Sequence, residues 1–376
     1  MVALAGTLRD LCPVVDRCGG CLWGSLTYAE QVARKQAQLV QTLGEGGWPL
    51  LAAAHPYGYR NRAIYPVQPG FRLGLYAANS HEVIPVDGCP VHDPRLDQVL
   101  AQVRADLPAT GWIPYDEHRQ TGNLRYLSAR LGRRTGECLL TLVVRDPDLL
   151  GIDAWAEAWL GIPGVVGVGV NVNPEPGNSI WGSTTYTVAG TGMIQEIMGG
   201  LTFALDGRSF FQAHTEQAEA LFTWALEQLP PVGSAVDAYC GVGTLALLLA
   251  HRDPQVQVTG LEVVPQAIER AELNSLWNGI SGIRWCCAAV ESCLWEWLPV
   301  ELLILDPPRK GCHPQVIQVI LAQPPRWILY ISCHLPSLLR DLRQLVPPYR
   351  LWQWRGADLF PQTPHLETAV ILQLCP

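Results

Sequence analysis

Three segments in the last third of the chain each end in one polar side chain that could take part in catalysis. Asp306 follows the apolar run Leu-Leu-Ile-Leu, Cys333 follows Leu-Tyr-Ile-Ser, and Glu367 ends a proline-containing turn. In an open α/β sheet, ligands gather outside the carboxyl ends of the strands. A thiol that can act as a nucleophile, with a carboxylate that can accept a proton, indicates covalent catalysis beside a cofactor.

Length and composition limit the class of protein to which these residues can belong. The chain has 376 residues, 48% of them hydrophobic, which predicts two or three domains with sizeable cores. A formal net charge of −8 excludes a globally basic nucleic-acid binder. Positive charge is nevertheless clustered, in Arg60, Arg62 and Arg72 and again in Arg125, Arg130, Arg133 and Arg134.

Arginine strongly predominates among the basic residues. All but two of the 26 are arginines, the exceptions being Lys35 and Lys310. Arginine suits bidentate phosphate contacts and base stacking, although arginines on an ordinary solvated surface would give the same composition. No charged leader precedes a long apolar region and no apolar run approaches ~18 residues. We therefore expect a soluble, cytoplasmic protein without a membrane partner, acting as a monomer.

Four cysteines near the amino terminus form a candidate metal site. Cys12, Cys18 and Cys21 have the spacing C-x5-C-x2-C, two glycines separate the last pair, and Cys89 follows later. Four thiolates suit an iron–sulfur cluster, and a structural zinc ion would use the same four. Spacing alone leaves both open, but C-x5-C in place of C-x3-C counts against a radical-generating cluster enzyme.

The chain divides into an irregular first part and a periodic second part. A helix capped by Thr27 should run to Leu43 and pack on the later domain. Short strand-like runs then predict a strand-rich α+β domain. From Ser234 onward strands and helices alternate, which predicts a parallel α/β sheet. We therefore predict a first domain over residues 1–205 and a second over residues 206–376.

A glycine turn opens the second domain. A strand ends at Asp237, the turn Ala-Tyr-Cys-Gly-Val-Gly follows, and a helix begins near Thr244. Glycines allow close approach of a ligand to the backbone, and the helix start offers amide donors. Glu262, at the end of the next strand, suits a ribose diol. The turn does not complete G-x-G-x-x-G, which favours S-adenosylmethionine over a nicotinamide cofactor.

Several motifs together resemble the RNA uracil-C5 methyltransferases, which make 5-methyluridine in ribosomal and transfer RNA. The resemblance covers about residues 10–376 and rests on Asp237-Ala-Tyr-Cys-Gly-Val-Gly-Thr, Asp306-Pro-Pro-Arg-Lys-Gly, Ile331-Ser-Cys-His and Phe360-Pro-Gln-Thr-Pro-His-Leu-Glu, with Tyr57-Gly-Tyr-Arg-Asn-Arg and Ser209-Phe-Phe-Gln in support. It implies a Rossmann-like class I S-adenosylmethionine-dependent methyltransferase domain behind the strand-rich domain.

The resemblance also implies roles for individual residues. Cys333 would attack C6 of the uracil, so that C5 can take the methyl group, and Glu367 would accept the C5 proton. The cofactor contacts implied are Gln212, Tyr239, Glu262 and Asp306, with backbone access at Gly241. Cys12, Cys18, Cys21 and Cys89 resemble the [4Fe-4S] site of the ribosomal-RNA branch, which favours a cluster over zinc.

The expected partner is RNA, most consistently 23S ribosomal RNA, with transfer RNA as the alternative. The target uridine must be flipped out or presented in a loop. Arg60, Arg62 and Arg130 are candidates for phosphate contacts. Two departures from the family stand out: the chain starts too close to Cys12 to hold the small RNA-binding β-barrel that many members carry, and His214 stands where asparagine is common.

Other classes of protein fit the sequence less well. An adenine-N6 methyltransferase needs an aromatic residue after the two prolines, where this chain has Arg309. A non-catalytic RNA-binding assembly factor would have no need for the pair Cys333 and Glu367. A redox enzyme would need a partner cofactor for which the sequence has no motif.

Overall fold

The computed structural model describes residues 6–376, which form two compact units. The first unit comprises the chain up to Tyr28 together with His55–Ile197 and Ala204–Arg208. The second unit comprises Ala29–Ala54, Met198–Phe203 and Ser209–Pro376. Within residues 6–376, no helix is both long enough and apolar enough to cross a membrane.

The first unit is built on one seven-stranded sheet. Its strands, in chain order, are β1 (Arg62–Gln68), β2 (Arg72–Tyr76), β3 (Val83–Pro85), β4 (Leu124–Leu131), β5 (Cys138–Val144), β6 (Val165–Val172) and β7 (Thr184–Gly190). Their order across the sheet is β3-β2-β1-β4-β5-β6-β7. Among these strands only β5 and β6 pair in parallel.

Helices contribute the rest of the first unit's core. These are α2 (Pro94–Asp106), α3 (Ile152–Leu160) and the 3-10 turns Leu8–Asp10 and Leu107–Thr110. Asp93 caps α2 by accepting a hydrogen bond from the Arg95 amide at 2.9 Å, and Pro94 occupies the first helical position. Every residue of β4 and β5 is buried, as expected for central strands covered on both faces.

The second unit contains another seven-stranded sheet. Its strands are β10 (Ser234–Ala238), β11 (Gln257–Glu262), β12 (Arg284–Cys287), β13 (Leu302–Leu305), β14 (Trp327–Ser332), β15 (Tyr349–Ala357) and β16 (Glu367–Leu374). The order is β12-β11-β10-β13-β14-β16-β15, with the first five strands parallel and β16 antiparallel to both of its neighbours. The predicted parallel α/β sheet is therefore confirmed.

The remaining elements follow the alternation of strands and helices. They are α1 (Tyr28–Leu43), α4 (Thr215–Glu227), α5 (Thr244–Arg252), α6 (Pro265–Trp277), α7 (Val290–Cys293), the 3-10 turn Leu294–Glu296, α8 (Pro314–Ala322) and α9 (Leu335–Leu345). A short antiparallel pair, β8 (Ile194–Met198) and β9 (Leu201–Leu205), precedes α4.

Helix α1 belongs to the second unit, although it lies early in the chain. It ends at Leu43, as predicted, and Gly44 follows with φ of +87°, a conformation that favours glycine. Leu39 of α1 is fully buried in the same core as Leu50 and Trp354. Helix α1 therefore contributes to the core of this unit.

Candidate active site

Cys333 directly follows the strand β14, and Glu367 is the first residue of the neighbouring strand β16. In the antiparallel pair of β14 and β16, Ser332 is the partner of Thr368, and the register is regular along the whole pair. One further step in this register sets Cys333 beside Glu367. Residues facing each other in an antiparallel pair have Cα atoms about 4.5–5.5 Å apart, so the thiol and the carboxyl group can reach one substrate ring from neighbouring positions.

Burial and neighbouring charge favour the protonated forms of both groups. Burial, followed by the negative charges of Glu367 and Asp306, raises the pKa of the Cys333 thiol to about 11, and the positive charge of Arg309 acts against this shift. Glu367 is 2% exposed, and burial together with Asp306 raises its pKa well above the usual value. Burial therefore favours the protonated form of each group in the ligand-free protein.

Asp306 begins a tight loop that helix α9 holds in place. The Ser337 hydroxyl donates to the carbonyl of Arg309 at 2.7 Å, and the Asp341 carboxylate accepts from the Cys312 amide at 2.8 Å. Gly311 has φ of +78°, and a Cβ atom there would lie 2.6 Å from an Asp341 oxygen. Burial raises the pKa of Asp306 to about 7. The loop therefore fixes one more carboxyl group next to the pair of Cys333 and Glu367.

The glycine turn forms the amino end of α5. Tyr239 has φ of +67° and Gly241 has φ of +54°, and a side chain at Gly241 would point into open space. The Glu262 carboxylate accepts from the Gly241 amide at 3.2 Å and from the Val264 amide at 2.9 Å. Glu262 thus joins the end of β11 to the turn, and the backbone at Gly241 stays accessible to a ligand.

Asp237 is a second acidic group near this turn, and sequence reasoning noted its position without assigning it a role. One of its oxygens accepts from the Ala246 amide in α5 at 2.9 Å, and the other has no hydrogen-bond partner among the described residues. Burial, followed by the charge of Asp306, raises its pKa to about 8. In the sequence, Asp237 is indicated by its position at the end of a strand, directly before a glycine turn.

Three of the four predicted cofactor contacts line one cleft. Gln212, Tyr239 and Asp306 surround an empty volume of about 440 Å³, with the glycine turn and three phenylalanines completing the wall. Glu262 is not among the lining residues; it reaches the cleft through its bond to Gly241. His214 is buried immediately before α4, with its Nδ1 atom 3.5 Å from Glu216, and it does not line the cleft.

A buried ion pair supports the turn that leads into Glu367. The Lys35 ammonium of α1 lies 2.7 Å from the Asp358 carboxylate, and both side chains are fully buried. Lys35 also donates to the Phe360 carbonyl at 3.1 Å. Burial lowers the pKa of Lys35, and Asp358 opposes that shift. Sequence reasoning missed this pair, since nothing in the spacing connects residues so far apart.

A glutamine pair adds to the same support. The Gln31 side chain donates to the side-chain oxygen of Gln362 at 2.9 Å and accepts from the Gln362 amide at 2.8 Å. Gln362 is fully buried and has φ of +73°, which is unfavourable for any residue with a side chain. The two hydrogen bonds hold this conformation and with it the turn before Glu367.

The four predicted cluster cysteines belong to the first unit and lie near one another. Burial, followed by the charges of Cys89, Cys18 and Cys12, raises the pKa of Cys21 to about 12. The Gly20 amide donates to the Cys18 sulfur at 3.4 Å. Within residues 6–376, however, no group of three or more His, Cys, Asp or Glu side chains is arranged to hold a metal ion. The structure thus brings the thiols into one region without forming a ready ligand set.

Comparison with known proteins places this site in a family. Residues 294–374 match the family model described as tRNA (Uracil-5-)-methyltransferase, and residues 200–327 match that of the methyltransferase small domain. An RNA methyltransferase of Nostoc is 42% identical over 98% of this chain and 83% of its own length. One from Thermosynechococcus vestitus is 40% identical over 97% of this chain and 84% of its own. The chain belongs to the family of these RNA methyltransferases.

A solved structure agrees with the fold of this RNA methyltransferase. The tRNA (uracil-54, C5)-methyltransferase of Pyrococcus abyssi, in complex with S-adenosyl-L-homocysteine, superposes with a TM-score of 0.82. It is 24% identical and the match covers 95% of this chain and 85% of that one. This likeness shows the fold, and the predicted Rossmann-like class I methyltransferase fold is confirmed.

One of the arginines expected to contact RNA is buried in this methyltransferase. Arg130 is only 3% exposed and lies among the charges of Arg62, Asp206 and Glu196. Burial lowers its pKa well below the usual value. Arg60 and Arg62 are half-buried. The expectation that Arg130 contacts phosphate is therefore not supported by its position.

We expect Lys35→Ala to destabilise the methyltransferase strongly, because it leaves Asp358 as an uncompensated buried charge. Breaking a buried ion pair typically costs about 3–5 kcal/mol. The measurement is the free energy of unfolding in urea, followed by circular dichroism. The double variant Lys35→Met with Asp358→Leu, which removes both charges, should recover much of the loss. A single variant as stable as the wild type would contradict the assigned importance of the pair.

Proposed function

We propose that this enzyme methylates C5 of a specific uridine in RNA, with S-adenosylmethionine as the methyl donor. In this proposal Cys333 is the nucleophile and Glu367 is the proton acceptor. The observation that supports it is the pairing of Ser332 with Thr368, which brings the next residues, Cys333 and Glu367, close enough for the Glu367 charge to act on the thiol. The fold and the family support the class of reaction.

The chemistry explains why both residues are needed. C5 of uracil is a weak nucleophile, so the Cys333 thiolate first adds to C6 and the electron pair moves to the O4 oxygen as an enolate. C5 then attacks the methyl group of the sulfonium, and S-adenosylhomocysteine leaves. Glu367 removes the proton that remains on C5, and the returning electron pair expels the thiolate from C6. The product is 5-methyluridine and the free cysteine.

The protonation states of the free enzyme fit a reaction that starts only when substrates are bound. A thiol with a pKa of about 11 is inactive as a nucleophile at neutral pH, and Arg309 is a positive group that favours the thiolate. A buried carboxyl group with a raised pKa is a strong base once it is ionised. A bound sulfonium would favour both anionic forms, because it places a positive charge beside them.

The cleft beside the glycine turn is the proposed cofactor site. Gln212, Tyr239 and Asp306 line it, which supports their assignment as cofactor contacts. Glu262 holds the Gly241 amide, and its position at the end of β11 suits the ribose hydroxyl groups. S-adenosylmethionine supplies the methyl group; the side chains named here bind and orient it.

We propose 23S ribosomal RNA as the substrate, with docking by the strand-rich first part of the chain. The resemblance of the amino-terminal cysteines to the ribosomal-RNA branch favours this choice. Transfer RNA is the competing substrate, because the Pyrococcus abyssi enzyme of similar fold acts on tRNA. Transfer of a labelled methyl group to purified 23S RNA and to bulk tRNA, both lacking 5-methyluridine, distinguishes the two.

A further proposal concerns Cys12, Cys18, Cys21 and Cys89 as ligands of a [4Fe-4S] cluster. The mutual influence of their charges supports it, since it requires the thiols to lie close together. Cys21 also packs against a small buried group that includes Cys89 and Tyr59. These residues would join the amino-terminal loop to the sheet of the first unit. A cluster needs all four as thiolates.

Replacing Glu262 should weaken binding of the cofactor. Loss of a charge-assisted hydrogen bond costs about 1.5–3 kcal/mol, or about 10- to 100-fold in affinity. Calorimetric titration with S-adenosylhomocysteine measures the dissociation constant of Glu262→Ala against the wild type. Glu269→Ala is a matched control, because Glu269 is an exposed glutamate of α6 in the same unit. Unchanged affinity in a folded Glu262→Ala variant would remove this residue from the site.

The variants Cys333→Ala and Glu367→Gln should fail at different steps. Cys333→Ala should form neither product nor a protein–RNA adduct, because C5 is never activated. Glu367→Gln should accumulate a covalent protein–RNA species that carries the transferred methyl group, since the C5 proton stays in place. Electrophoresis under denaturing conditions with a labelled methyl group detects that species.

The wild type provides the control for trapping. With RNA that contains 5-fluorouridine it should form the same stable adduct, because fluorine at C5 cannot be removed as a proton. Normal turnover by Glu367→Gln, or an adduct formed by Cys333→Ala, would show that the assigned roles are wrong.

Protein purified without oxygen should be brown and contain about four irons per chain, as a [4Fe-4S] cluster requires. Replacing Cys18 with serine should lower the iron content sharply. Cys287→Ser is the control, because Cys287 is exposed in the second unit. Stoichiometric zinc without iron under the same conditions would reject the cluster.

A further inference from the structure

A large cleft in the first unit is separate from the residues assigned to catalysis. Its empty volume is about 1140 Å³, and it lies along β1, β2 and β4 and the loops that precede β3 and β4. The lining residues used below are Arg72, Tyr76, His81, Tyr115, Arg125 and Tyr126. The cleft is the larger of the two described here and has no role in the proposed reaction.

Aromatic rings make up much of one wall. Tyr76 is half-buried, and its ring centre lies 5.5 Å from that of His81. Its hydroxyl group lies 3.5 Å from the hydroxyl group of Tyr126, which is itself buried. An aromatic ring that is held at one end and is only half-buried is a platform on which a nucleobase can stack.

The backbone of Tyr76 is held by the cysteine-containing loop. The Gly19 amide donates to the Tyr76 carbonyl at 2.9 Å, and Cys18 forms a β-bridge with Ala77. A Cβ atom at Gly19 would lie 2.9 Å from the Ala78 nitrogen, so only glycine fits this close approach. The amino-terminal segment therefore holds the backbone of Tyr76 in place.

The cleft also contains a buried positive charge without a negative partner. Arg125 is 4% exposed, and its guanidinium donates only to backbone carbonyls, those of Asn173, Glu175 and Gly177. It lies 5.1 Å from the ring centre of Tyr115. Across residues 6–376, no carboxylate pairs with Arg125. A buried cation without a counter-ion is costly, which favours an anionic ligand at this place.

Three carboxylates at the rim each have a partner of their own, and none of them pairs with Arg125. Glu117 lies 3.2 Å from His81, Glu82 lies 3.4 Å from Arg17, and Asp116 lies 3.9 Å from Arg119. Arg72, an exposed rim residue, donates only to the neutral oxygen of Gln68. Arg72 thus remains available to a phosphate group, whereas Arg125 is buried and bonded to three carbonyls, so it adds positive potential to the cleft without a direct contact.

We propose that this cleft binds an unpaired, non-reacting nucleotide of the RNA substrate. The base stacks on Tyr76, and the phosphate on one side of it is attracted by Arg72 and Arg125. This inference rests on the proposed function in so far as RNA is the ligand. It assigns a second contact to RNA, separate from the uridine that reacts at Cys333, and it would help select a target with an exposed single-stranded segment.

Fluorescence anisotropy with a labelled single-stranded decauridylate tests the proposal on the full chain. Tyr76→Ala should weaken binding about 5- to 100-fold, the usual effect of removing one base–aromatic stack. Tyr76→Phe keeps the ring and should bind within about twofold of the wild type. Arg72→Gln should weaken binding and reduce its salt dependence by about one phosphate contact. Arg145→Gln is the matched control, an exposed arginine that also donates only to a neutral oxygen and lies outside the cleft.

Three outcomes would overturn the proposal. The first is wild-type affinity in both Tyr76→Ala and Arg72→Gln, and the second is no binding of the decamer by the wild-type protein. The third is displacement of the decamer by uridine monophosphate at equal concentration, which would make the cleft a site for free nucleotides. The RNA assignment is supported if decamer binding depends on Tyr76 and if uridine monophosphate does not displace the bound decamer.

Measurements of methyl transfer distinguish a failure of the cleft proposal from a failure of the proposed function. With 23S RNA that lacks 5-methyluridine as the methyl acceptor, Tyr76→Ala should raise the KM for RNA and leave kcat near the wild-type value, whereas Cys333→Ala should abolish turnover and retain binding of the decamer. Wild-type protein that binds RNA through Tyr76 but transfers no methyl group would refute the proposed reaction alone. Normal methyl transfer with no effect of Tyr76→Ala on KM or affinity would refute the cleft alone.

Discussion

The antiparallel pairing of β14 with β16 is the constraint on which the proposed site depends. Side chains along a strand alternate between its two faces, so a shift of one residue in this register would move Glu367 to the opposite face from Cys333. β15 pairs along the whole of β16 on its other side, which fixes the strand between two neighbours. The turn before Glu367 is then held from α1 by the Lys35–Asp358 pair. An element from early in the chain therefore supports the position of a carboxyl group near its end.

The same site concentrates acidic groups away from water. The pKa values of Asp237, Asp306 and Glu367 are all raised, chiefly because burial disfavours the charged form. Such an arrangement does not favour the stability of the ligand-free protein near neutral pH, since deprotonation of any of these groups would place an unpaired charge in the interior. It suits a cationic ligand, whose charge would offset the carboxylates. This is consistent with the sulfonium of the proposed methyl donor.

Local patterns in the sequence were enough to predict many of the elements. The strands β13 and β14 end directly before Asp306 and Cys333, as the apolar runs indicated, and α1 ends at Leu43, where Gly44 follows. Such elements follow from residue periodicity and from turn-forming residues, which act over a few neighbours. The positions of Asp306 and Cys333 at strand ends could be predicted for the same reason. Because parallel strands present their carboxyl ends at one edge of a sheet, their convergence could also be expected.

The tertiary structure alone decided which distant residues meet. Lys35 and Asp358 are separated by 323 positions, and no local pattern carries information on such a contact. The burial of Asp237 and Arg130, and the lack of a carboxylate beside Arg125 within residues 6–376, depend on how strands and loops pack around them. The sequence by itself determined the order of strands and helices and the chemical groups at their ends, because these depend on local periodicity. Strand register, burial and the partners of buried charges were set only by the packed chain, because they arise from contacts between segments far apart in sequence.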